Sequence, residues 1–427
     1  MRIKYFRNIA AAMLLSVAAC GAPESAADLP ELPTGLWQVS ITLPGGDIET
    51  AIEINRDDGR LQATLMNGQE QVAIGEVNFS TGALTLRFPA LGNEIRAELV
   101  DGELVGELTL VKRYGATQVM PFIARLGSGR ENAGAEPASH DMSGRWAVEF
   151  RKQDGSVSPS IGEFVQSGSQ LFGTFLNPNG DHRYLAGHVR GNAFTLSTFN
   201  GAHAYLFSGE INEEGQIQAA DFWSGTSEHQ TWTAVRNENA ELPDAYARTF
   251  LKPGYDSFEF EFPDSSGTPV SLADDRFEGK VVLVTLAGTW CPNCHDEARF
   301  LTPLYKEYRD RGLEIIALMY EHFEDHETAA ERVRHFRDKF DIQYQTLIAG
   351  ISEKTEAAKT LPALNAVLAF PTTIFIDRRG TVRKIHTGFS GPGTGEHYEL
   401  LKEEFTTFIT TLIEEPADQI GDNQGDN

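Results

Sequence analysis

A chain of 427 residues has room for several domains, each large enough to bury its own core. Its 61 acidic residues against 36 basic ones give a net charge of −25, which argues against a nucleic-acid partner, because phosphate binding depends on Lys and Arg patches. Cysteine occurs only at positions 20, 291 and 294, too sparsely for a scaffold held together by disulfides.

Arg2, Lys4 and Arg7 precede an apolar stretch at 9–19 that is too short to span a membrane as a mature helix. A charged start, a short apolar core and small residues before a processing point read as an export signal over residues 1–19. Val17-Ala18-Ala19 runs directly into Cys20, which resembles a bacterial lipoprotein signal. That resemblance implies that Cys20 is lipidated and becomes the first residue of a membrane-anchored mature chain; an ordinary signal peptide cleaved nearby is the alternative. Gly21 in place of Asp favours the outer membrane over the inner one, with the chain facing the periplasm. Residues 20–33 are small, polar and Pro-containing, as a tether should be. The mature chain then holds two thiols in one Cys-x-x-Cys, a pair more readily catalytic than structural.

From 34 to 126 the chain alternates in short runs such as Trp37-Gln-Val-Ser-Ile and Ala83-Leu-Thr-Leu-Arg-Phe. These are broken at Asp58-Gly59, Asn67-Gly68 and Asp101-Gly102. Strands and turn dipeptides at this spacing indicate an antiparallel sandwich or a small up-and-down barrel. Gly35-Leu-Trp37-Gln-Val recurs as Gly144-Arg-Trp146-Ala-Val, and Gly82-Ala-Leu-Thr-Leu86 as Asn192-Ala-Phe-Thr-Leu196. Both pairs lie about 110 residues apart, so a second β-domain at 143–237, arising by duplication, is expected after a linker at 127–142. Trp37, Trp146, Trp223 and Trp232 are expected in the cores, while His182, His188, His203 and His229 are too scattered to form a motif.

From 246 to 414 the pattern becomes α/β. Phe258-Glu-Phe-Glu-Phe262 reads as a strand, followed by a turn into Val270-Ser-Leu272. Val281-Val-Leu-Val284 suits a strand buried on both faces. Past Cys294, apolar residues at 298, 301, 304, 305 and 308 recur at helical spacing. The cysteines therefore sit where a central strand hands over to a helix N-terminus, whose free N–H groups and dipole stabilise a thiolate at Cys291. Further strands are expected at 313–319, 344–348, 372–376 and 382–385, and helices at 327–340 and 396–414. Residues 415–427 read as an acidic disordered tail.

Trp290-Cys291-Pro292-Asn293-Cys294, the strand before it, and Phe370-Pro371-Thr372-Thr373 some 80 residues later resemble the thioredoxin fold. More narrowly they resemble the TlpA/ResA-type exported thiol-disulfide oxidoreductases, over roughly residues 258–414. The resemblance implies that Cys291 is the exposed nucleophile, that Cys294 resolves the mixed disulfide and that Pro371 is a cis-proline. It further implies that Trp290, Phe370, Pro371 and Thr372 meet the substrate and that Glu297 helps move a proton, if burial raises its pKa. A solvated Glu297 in the first helical turn is the plainer alternative. No prosthetic group and no metal are required; the partners are protein dithiols or disulfides and a redox protein that exchanges electrons with the pair. The resemblance leans towards a reductant. Leu286-Ala287-Gly288 and Arg299 depart from the family pattern, which puts the shape of the substrate groove in question.

Other classes compete. A peroxidase on the same fold would use a lone cysteine, usually within Pro-x-x-x-Thr-x-x-Cys, and Ala287 stands at the Pro position of that pattern. A non-catalytic envelope binding protein would use the β-domains for a ligand. Cys291-Pro-Asn-Cys294-His295 also satisfies the attachment pattern of c-type haem, though His295 is more simply a charged helix residue near the thiols. His322 and His326 are spaced for a metal pair but read as solvated surface.

Overall fold

The computed structural model describes residues 31–127, 136–255 and 257–416. The export signal, Cys20, nearly all of the tether, part of the linker and most of the acidic tail lie outside the described residues.

Residues 35–126 form a nine-stranded antiparallel meander whose first strand, Gly35–Leu43, pairs with both Gly46–Asp57 and the last strand, Thr117–Leu126. Trp37, Val39, Ile41 and Leu43 alternate inward along that strand, as the period-two pattern requires. Two of the expected turns take positive φ at both central residues: Asp58 and Gly59 at 45° and 78°, Asp101 and Gly102 at 52° and 84°. Such angles match the twist of a two-residue hairpin, and Gly adopts them without strain.

The second β-domain closes completely. Gly144–Lys152 pairs with Val157–Ser167 and Glu228–Arg236, and Gln170–Asn177 pairs with both Val157–Ser167 and Leu185–Arg190. The result is an up-and-down barrel, with the two-residue strand Gly180–Asp181 folded back on Gln170–Asn177 outside the ring. Its interior is filled by rings, among them Phe150, Phe175, Phe207 and Trp232. The repeats noted in the sequence fall on matching strands. Trp37 and Trp146 each lie in the first strand and donate Nε1–H to the carbonyl four residues back, Pro33 at 3.2 Å and Met142 at 2.9 Å. Ala83–Phe88 and Ala193–Phe199 are each the sixth strand of their domain. Three of the four tryptophans are core as expected; Trp223 is partly buried and stacks on His229.

The C-terminal domain has a five-stranded sheet in the order Gln345–Ile351, Leu313–Glu321, Val281–Ala287, Thr372–Ile376, Val382–Thr387, in which Thr372–Ile376 runs antiparallel to the other four. Four helices accompany it: α1 (Pro292–Tyr308), α2 (His326–Phe340), α3 (Lys354–Thr360) and α4 (Glu396–Glu414). Every residue of Val281–Ala287 is buried, as a central strand demands. One expectation fails: the run 258–262 pairs only at its end, as Glu261–Pro263, because Phe258 and Phe260 are buried as anchors in the core. Helix α3 was not expected, being short and polar.

The three domains are packed together. Phe199, Ala202, Ala204 and Leu206 of the second barrel join the core cluster of the first. Between all three lies Arg183, which pairs with Glu70 of the first β-domain and Asp296 of α1. The side chains are 10%, 4% and 0% exposed respectively. Removing the arginine leaves Glu70 buried without its cation and Asp296 with Arg299 alone, so Arg183→Met should cost about 3–5 kcal/mol. Urea denaturation checks this; a loss below about 1 kcal/mol would place the latch among ordinary surface pairs.

Candidate active site

The strand Val281–Ala287 carries the chain to a narrow point. A Cβ on Gly288 would lie 2.4 Å from Trp290 Nε1 and 2.6 Å from the Tyr320 carbonyl. Glycine there lets Trp290 donate to that carbonyl at 2.9 Å, which accounts for one departure from the family pattern. Arg299, the other, donates to Asp296 at 2.8 Å and lies over the Phe340 ring. Thr289 donates its N–H and hydroxyl to Glu321 at 2.9 and 2.6 Å, tying the turn to the neighbouring strand. Cys291 then caps α1, with Pro292 in the first turn where its missing N–H costs nothing.

Cys291 Sγ accepts from the Cys294 N–H at 3.4 Å and donates to the Phe370 carbonyl at 3.2 Å. The Phe370–Pro371 peptide is cis, as expected. Burial pushes the Cys294 thiol well above the ordinary cysteine range, and the neighbouring Cys291 and Glu297 add to the shift. Glu297 is 1% exposed and accepts hydroxyl hydrogen bonds from Thr285, at 2.5 Å, and Thr373. Burial raises its pKa to about 7 against the lowering effect of those two bonds. The solvated alternative for this residue is thereby set aside. Thr372, by contrast, is buried and turns its hydroxyl to the Ala369 carbonyl.

Several expectations need correction. Cys291 is 4% exposed rather than open to solvent, because the second barrel sits over it. Asn293, between the cysteines, donates to Asp181 at 2.7 Å, and Asp181 also accepts from the Gly391 N–H at 2.6 Å. His295 is not a charged neighbour of the thiols: burial lowers its pKa well below the usual value. Its Nε2 is on the Thr289 carbonyl and its Nδ1 is 3.5 Å from Lys339 Nζ, so neither nitrogen is presented to a haem iron. His322 is buried rather than solvated; it stacks on Trp290 and pairs with Ser352 at 2.8 Å, while His326 turns to the Asp264 carbonyl. His182 and His203, distant in sequence, both line the space above Cys291.

Sequence reasoning missed Glu321, whose pKa burial also raises to about 7, and the roof residues Asp181, Arg183, Asn200 and Tyr205. None lies in a motif; each is brought in from another strand or domain.

Glu297 holds its proton more tightly folded than in its ordinary range near 4.5, so its contribution to stability is full below that pH and is lost as pH rises through about 7. Relative to Glu297→Gln, the reduced wild-type chain should therefore lose about 2–3 kcal/mol between those limits. Urea titrations at a series of pH values measure this, and parallel curves for the two proteins would refute the assignment.

Comparison with known proteins bears on this site. A model of the AhpC/TSA family matches residues 253–385. The thioredoxin-like protein YneN of Bacillus subtilis is 31% identical over 138 residues, 32% of this chain and 73% of that protein. The thiol-disulfide oxidoreductase ResA of Halalkalibacterium halodurans is 30% identical over 160 residues, 37% of this chain and 81% of its own. Among solved structures, a putative thiol:disulfide interchange protein DsbE from Chlorobium tepidum aligns over 38% of this chain and 99% of its own, at 20% identity and a TM-score of 0.30. Both β-domains lie outside the segment that the family model matches.

Proposed function

This chain belongs to the ResA-like thiol-disulfide oxidoreductases, and from that premise we propose that it reduces disulfides through Cys291 and Cys294, with Glu297 handling the proton of the second thiol. The observation that carries the reading is the cap of α1: Cys291 receives the Cys294 N–H at the positive end of the helix, one turn before its partner. The Cys291 thiolate attacks one sulfur of the substrate disulfide and the other leaves as a thiolate. Cys294 then attacks Cys291 Sγ, closing the enzyme disulfide and freeing the second substrate sulfur. Cys294 is held protonated by burial, so this step needs a base, and a buried carboxyl titrating near neutrality is suited to it.

The substrates of this reading are protein disulfides, met at Trp290, Phe370 and Pro371, and a redox partner returns the electrons. The motif at 17–20 supports export and lipid anchoring through Cys20, on the outer membrane in preference to the inner. The matching strands and tryptophan contacts of the two β-domains support their origin by duplication.

Cys294→Ser should accumulate a mixed disulfide on Cys291 that Cys291→Ser never forms, seen by non-reducing mass spectrometry after incubation with a disulfide substrate. Glu297→Gln should slow turnover about 100-fold and remove the inflection near pH 7 from its pH profile. Adducts in both cysteine variants, or in neither, would count against the two roles.

A further inference from the structure

The space above Cys291 is a cavity of about 290 Å³, walled on one side by Trp290, Cys291 and Phe370 and on the other by the end of the second barrel. We propose that this chamber binds a low-molecular-weight disulfide carrying carboxylates, of the size of cystine, which Cys291 reduces in place. The proposal rests on the exchange reading above and adds a substrate class that reaches the cysteine with the domains closed.

The closure itself is built to last. Gly388 packs so closely on the backbone of Asn179 and Gly180 that a Cβ there would lie 2.8 Å from Asn179 C. Arg248 holds the Pro178 carbonyl, and the buried Arg183 ion pairs fasten the same turn. The chamber is also shallow, because the barrel beneath its mouth is plugged by Phe150, Phe175 and Phe207. Its volume falls just under the range of drug-sized pockets, about 300–1,000 Å³, so it suits a small molecule and has no room for a folded chain.

Its polar groups indicate what that molecule carries. Asn200 is 7% exposed, and its Oδ1 accepts the N–H groups of Ala202 and His203 at 3.0 and 2.9 Å. Those two bonds fix which way the amide points and leave Nδ2 as a buried donor with no partner. His182 Nδ1 is likewise buried and unpartnered. Lys354 stands at the rim with its ammonium on the Leu368 carbonyl at 2.6 Å. The one carboxylate in the wall, Asp181, is already engaged by Arg183 N–H, Asn293 and Gly391. An unpaired donor and a cation beside a committed acid call for an anionic oxygen on the ligand. The rings of Tyr205, Trp290 and Phe370 suit an apolar CH₂–S–S–CH₂ centre.

The chemistry balances within the pair. Cys291 takes one sulfur of RS–SR and releases RS⁻, Cys294 displaces the second as RS⁻, and two electrons and two protons pass from the dithiol to two RSH.

The test compares cystine with cystamine, the same disulfide without its carboxylates, as oxidants of the reduced full-length chain. Tryptophan fluorescence gives the rate and thiol alkylation the end point. Cystine should react about tenfold faster, although the net charge of −25 favours the dication, and the ratio should fall towards one in both Asn200→Leu and Lys354→Met. A wild-type ratio of one or below, or a ratio that neither substitution changes, would overturn the chamber while leaving exchange intact. If no disulfide, glutathione disulfide included, closes Cys291 on Cys294, the exchange reading falls and this proposal with it.

Discussion

A guanidinium almost cut off from water is tolerable only where anionic oxygens surround it, and Arg183 meets that condition with one acid from each of the other two domains. Glu70 accepts its Nε–H at 2.8 Å, Asp296 takes another arm of the fork, and the Pro292 carbonyl lies 3.4 Å from the same nitrogen. Arg183 and Glu70 each rely on the other for a partner away from water, while Asp296 is shared between Arg183 and Arg299. The position of the second barrel over the cysteines follows from that mutual dependence, since Arg183 leaves the strand Gly180–Asp181 whose acid also holds Asn293.

Within the C-terminal domain the reactive pair depends on buried hydrogen bonds more than on the cysteines' immediate neighbours. Glu321 anchors Thr289, Tyr320 anchors Trp290 through the gap left by Gly288, and Phe370 offers its carbonyl to Cys291. Glu297 occupies the floor between Thr285 and Thr373, on the two central strands. The two sulfurs differ accordingly. Cys291 lies at a helix end beneath a polar chamber, whereas Cys294 is sealed against the sheet and keeps its proton.

What was legible in the sequence was local. Helix α4 runs from Glu396 to Glu414 as expected, because an uninterrupted 3.6-residue pattern fixes both its ends. The central strand and the cysteine cap were equally readable, since a fully apolar run and a proline at a helix start each have one good structural use. Phe258-Glu-Phe-Glu-Phe262 misled because alternation describes a strand and equally a chain whose phenylalanines are drawn into a neighbouring core. The covering of Cys291, the neutrality of His295 and the burial of His322 were out of reach. Each is set by residues brought from other strands, and Asn293 meets an aspartate 112 positions away.

The most direct test of the central claim is the reduction potential of Cys291 and Cys294 in the full chain, by equilibration in dithiothreitol and glutathione buffers followed by alkylation. A reductant working through this pair predicts one reversible two-electron transition near about −270 mV. Two thiols that never form a reversible disulfide with each other would contradict the account outright, and a transition near about −120 mV would contradict its direction.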